Sequence, residues 1–127
     1  YNERAAYSCL RKGGRLMATH EFGILSAPPL PDQRFDEYEP EKYACIAVDD
    51  EQLFPLLDSL MQCACYGHSL QNPIRGLEYT GISLIPPETL PRMASILESC
   101  PEPGLSELLS LVRRAQAEGR YVIHFGI

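Results

Sequence analysis

The 127 residues are one domain's worth of chain. A domain of this size buries roughly two thirds of the surface its unfolded chain exposes, so it holds a core without staples. The hydrophobic content of 45% is ordinary for a globular protein, and the net charge of -6 argues against non-specific nucleic-acid binding, which needs basic surface.

No segment offers the roughly 18 consecutive apolar residues of a membrane helix, and no signal peptide is evident. The five cysteines, Cys9, Cys45, Cys63, Cys65 and Cys100, are odd in number and irregular in spacing. That pattern fits a reduced, cytoplasmic protein.

The location of the charge matters more than its size. Residues 1–31 carry net +2, residues 32–51 net -6, and residues 52–127 net -2. One stretch of twenty residues therefore holds a deficit equal to the whole.

Residues 1–16, YNERAAYSCLRKGGRL, read as a short helix or as a non-native extension. Lys12-Gly13-Gly14 can be encoded by a ribosome-binding sequence a few codons before Met17, so a native start at Met17 and a single domain over 17–127 are expected. The alternative is a genuine N-terminal helix in a chain cut from a longer one. The codons at 12–14 distinguish the two.

His20 to Ser26 is a strand candidate, closed by Pro28-Pro29-Leu30-Pro31. Residues 28–41 form a proline-bounded acidic loop. Phe35, Tyr38 and Tyr43 interleave with its acids and either tack the loop to the body or anchor a binding surface. Tyr43 to Val48 is apolar on both alternating faces, the pattern of a central strand, and Val48 is expected in the core. Asp49, Asp50 and Glu51 then suit a helix N-terminus, with Asp50 as the cap and Pro55 loosening the first turn. Leu53, Leu56, Leu57, Leu60, Met61 and Ala64 predict one buried helical stripe.

Cys63 and Cys65 diverge if they lie on that helix, and no second ligand pair exists, so no metal is expected. Gly67 reads as the helix stop. Gly76 to Pro86 predicts a second long strand, with a bulge or close approach at Gly81. Glu88 to Ser99 and Leu105 to Glu118 predict two more helices, the last capped by Gly119. Arg120 to Phe125 closes the chain as a strand, with Tyr121, Ile123 and Phe125 on one face and Val122 and His124 on the other. Phe22-Gly23-Ile24 recurs as Phe125-Gly126-Ile127, each near a histidine, which is compatible with two strands of one sheet.

The runs EYEPEKYACIAVDD, GISLIPPETLP and YVIHFGI together resemble a group of small bacterial proteins of unassigned function. The resemblance covers residues 17–127. It implies a bacterial source and no particular activity or site.

The element order predicts an α+β fold, with about four strands in a mixed sheet and three helices packed mainly on one face. Two functions compete. The first is a small acidic protein-binding module, inhibitor-like or immunity-like, that neutralises a basic protein partner. Its surface would be Asp32, Asp36, Glu37, Glu39, Glu41, Asp49, Asp50 and Glu51, which merge into one field if the loop folds back along the central strand. A solubilising face with no partner is the plain alternative. The second is a small enzyme or ligand-binding domain using Asp49 or Asp50 with His68 or His124. No nucleophile elbow, phosphate-cradling loop or paired zinc motif supports the second, and no catalytic residue, metal or cofactor is assigned.

Overall fold

The structure is a computed structural model that describes residues 18–127. The readings at residues 1–17, including the start at Met17, lie outside the described residues.

Six strands form one sheet: β1 (Thr19–Ile24), β2 (Ile46–Asp49), β3 (Ala64–Gly67), β4 (Pro73–Arg75), β5 (Ile82–Ile85) and β6 (Val122–Phe125). Their order is β2-β1-β6-β5-β3-β4, and every pairing is antiparallel. The α+β class holds, but the sheet has six strands rather than about four and is not mixed. Three helices accompany it. The first, α1, is a broken run of Asp50–Leu53, a 3-10 turn at Phe54–Leu56, and Leu57–Leu60. Pro55 lacks the amide a continuous helix needs, which accounts for the break. The others are α2 (Leu90–Glu98) and α3 (Ser106–Glu118), the latter ended by Gly119 in the left-handed region at φ 66°.

The strand–helix reading of the middle of the chain needs three corrections. Tyr43–Val48 is not central. Tyr43 ends a 3-10 turn, Ala44 takes a positive φ of 50°, and β2 lies at the edge of the sheet. The helices cover one side of it, with Val48 buried and Ile46 half-buried, while Ala47 on the other side is exposed. Cys63 and Cys65 are not on a helix. Cys63 accepts the Gly76 amide and Cys65 lies in β3, so Gly67 is a strand residue rather than a helix stop. The strand expected over 76–86 shrinks to Ile82–Ile85, with Gly81 just before it.

The two faces of the sheet are covered differently. Phe22, Val48, Cys65, Ile85 and Val122 pack with the helices, through Leu53, Leu60, Met93, Leu97, Leu108 and Val112. On the other face Ile82, Leu84, Ile123 and Phe125 pack beneath the loop through Leu25 and Phe35, with Tyr43 and Cys45 alongside. Strand alternation places these sets on opposite sides. Phe35 is buried, its amide donates to the His68 carbonyl at 2.7 Å, and the Tyr38 ring stands edge-on to Phe125 at 5.4 Å. The loop aromatics therefore tack the acidic loop to the body. Asp49, Thr19, Phe125 and Ile82 share one end of the sheet by register.

Candidate functional site

That end of the sheet carries a buried polar chain on its helix side. β1 and β6 are neighbours, so His20 and His124 face each other diagonally across the strands, and His20 Nδ1 lies 2.9 Å from His124 Nε2. Their rings stack at 5.1 Å with 22° between planes. Ser83 pairs with His124 in the register of β5 and β6, which brings Ser83 Oγ to 3.1 Å from His124 Nδ1. His20, His124 and Ser83 are each 0% exposed. The chain reaches solvent through Asp50. Its amide continues the β1–β2 ladder by donating to the Ala18 carbonyl, and its Oδ1 lies 2.9 Å from His20 Nε2. The Tyr79 hydroxyl donates to Asp50 Oδ2 at 2.6 Å. Burial, then the hydrogen bond and charge of Asp50, push the Tyr79 hydroxyl up to about 12.

Hydrogen-bond chemistry assigns a direction to this chain. An ionised Asp50 only accepts, so His20 Nε2 carries a proton and a neutral His20 accepts at Nδ1. His124 Nε2 then donates, His124 Nδ1 accepts, and the Ser83 hydroxyl is the donor. The Glu78 amide completes Ser83 at 2.7 Å. Four bonds, from the Glu78 amide through Ser83, His124 and His20, thus hold one proton each and point from the core towards Asp50, and the Tyr79 hydroxyl donates to Asp50 from the solvent side.

Asp50 is therefore not the helix cap. Asp49 precedes the first turn, and neither residue makes a side-chain capping bond. The carboxylate is used by a histidine that sequence reasoning did not pair with it. His124 joins only through His20, and His68 lies elsewhere: its Nδ1 is 3.0 Å from the Phe35 carbonyl and 3.1 Å from Asp36 Oδ1. The Phe-Gly-Ile echo with its two histidines was compatible with two strands of one sheet, which β1 and β6 are, but it did not pair the histidines.

His68, in the left-handed region at φ 64°, borders a cleft of about 150 Å3 with Asp36, Tyr38, Thr80, Gly81 and Phe125. Asp36 is already partnered. Arg34 grips both its oxygens at 2.8 and 2.9 Å, and this, more than His68, holds its carboxyl below the usual range.

The remaining acids distribute as follows. Asp32, Glu37, Glu39, Glu41 and Glu51 are exposed, and Asp49 is half-buried. Lys42 lies 3.8 Å from Glu39. The loop acids stand over the face opposite the helices, whereas Asp49, Asp50 and Glu51 turn from β2 into α1. Among the described residues no cluster of histidine, cysteine or acid could hold a metal, and no helix is long and apolar enough to cross a membrane.

Comparison of the chain with family models, with curated proteins and with solved structures finds no match.

Proposed function

We propose that this protein is a small protein-binding module, of the inhibitor or immunity type, that engages a basic partner through its acidic surface. The observation that supports it is the attitude of the loop. Phe35 is spent inward on the core, while Asp32, Glu37, Glu39 and Glu41 stay in solvent. A fixed loop presenting charge steers an oppositely charged partner and raises its association rate. A reducing, cytoplasmic setting suits Cys63, Cys65 and Cys100, none of which forms a disulfide. The test is to isolate the partner by crosslinking in the host cell and to measure association over a range of salt. Changing Glu37, Glu39 and Glu41 to Gln should slow association and flatten its salt dependence. An on-rate indifferent to both would defeat the proposal.

A second reading, a small enzyme or ligand-binding domain, is favoured by the His20–Asp50 pair at 2.9 Å. Against it, only Asp50 and Tyr79 of that chain meet solvent, so a substrate has no access to either imidazole or to Ser83.

A further inference from the structure

We infer that the outward face of α1 is where the basic partner docks, and that this partner carries apolar side chains between its cations. This rests on the binding reading above and supplies its contact surface. Along α1 the inward residues are Leu53, Leu56 and Leu60, all buried. Glu51, Phe54, Pro55, Asp58 and Met61 are all exposed, so they lie on the side of the run away from those buried leucines. Phe54 is 61% exposed and Met61 54%. One such side chain in isolation means little, but two on one face with an aromatic neighbour form a patch. The Tyr79 ring meets Phe54 edge-on at 6.3 Å, and Tyr79 is itself held by Asp50. Phe54 is thus backed by a ring tied to the core, so less freedom is lost when a partner covers it.

Charge selects the occupant. No lysine or arginine occurs from Tyr43 through Ile74. Glu51 and Asp58 stand on the same face as Phe54 and Met61 and form no ion pair with a described residue. The first base after this stretch, Arg75, is occupied in closing α1, bonding the Met61 and Gln62 carbonyls at 3.2 and 2.8 Å. Aromatic and methionine side chains ringed by polar residues are the composition of an interface centre and rim. A second copy of this chain would bring the same acids to the contact and be repelled, whereas a segment with alternating apolar and basic residues satisfies both parts.

The test titrates isotope-labelled protein with three probes at low salt: an amphipathic leucine–lysine peptide, oligolysine of equal charge, and a leucine–glutamate peptide of the same pattern. The leucine–lysine peptide should shift amides of residues 50–61 and of Tyr79. It should bind more tightly than oligolysine, and the leucine–glutamate peptide should not bind. Phe54→Ser, at an exposed position, should weaken the leucine–lysine peptide at least about tenfold. A double change, Glu51→Gln with Asp58→Asn, should weaken it and reduce its salt dependence. If the cationic peptides move only the loop at 32–41, or Phe54→Ser leaves affinity unchanged, this face is not the docking surface while the acidic-binding reading survives. If neither cationic peptide binds, both fall. Self-association abolished by Phe54→Ser would make the occupant a second copy and overturn the inference.

Discussion

Asp50 shows how one carboxylate sets the state of groups well inside the core. With Asp50 ionised and His20 neutral, hydrogen bonding through this carboxylate assigns the tautomers of two imidazoles 104 positions apart in the chain. Nitrogen NMR of the imidazoles reads the tautomers directly: a proton on Nε2 of both His20 and His124 is expected, and a proton on Nδ1 of either ring in its neutral form would refute the assignment. Asp50→Ala should cost about 1–3 kcal/mol in denaturant unfolding, because it leaves a buried imidazole donor without its partner, not because a cap is lost. Tyr79 gives a pH signature. Its folded value of about 12 lies above the ordinary phenol value near 10, so the unfolded chain loses that proton first. Stability from this group is full below about pH 10 and declines as pH rises towards 12. Tyr79→Phe should remove that component of the alkaline decline.

At the scale of elements, β2 and β3 carry the lessons. Val48 on edge strand β2 is 2% exposed because α3 and α1 close over it. Val48→Asp should cost about 3 kcal/mol or more in chemical denaturation, the penalty of an unpaired charge in the core. A strand at an edge is usually a tolerant place, so an unchanged midpoint would mean that the helices do not seal it. On the β3 side Cys63 and Cys65 are buried, and burial pushes the Cys65 thiol up to about 12. Thiolate is the reactive form, so both should resist a thiol reagent in the folded protein and react fully in denaturant, while half-buried Cys100 reacts ahead of them. Mass spectrometry of partially labelled protein checks the order.

For the molecule as a whole, the loop acids and the fold are largely separable. Arg34 and Lys42 lie against Asp36 and Glu39 at exposed positions, where ion pairs contribute little. Changing Asp36, Glu37, Glu39 and Glu41 to their amides should therefore move unfolding stability by no more than about 0.5 kcal/mol, measured by urea titration. Loss of folding would make those acids structural. β6 has the opposite character. It sits between β1 and β5, so the last strand of the chain completes the middle of the sheet, and the sheet's order depends on a contact between its distant ends.

That arrangement explains what could be read in advance. The helices α2 and α3 and the two faces of β6 were legible in the sequence, since each rests on a period or a local stop within a dozen residues, whereas the sequence left the loop aromatics open between tacking the loop and anchoring a binding surface. Leu90, Met93, Ala94 and Leu97 recur at helical spacing and bury as a stripe. The short strands β3 and β4, the edge position of β2 and the meeting of His20 with His124 were decided only by tertiary structure. Three or four residues of strand carry too little pattern to tell from a frayed helix end. An apolar strand reads alike whether its cover is a neighbouring strand, a helix or a loop. Two histidines on β1 and β6 become partners only when the intervening chain has closed the sheet around them, and no local spacing encodes that closure.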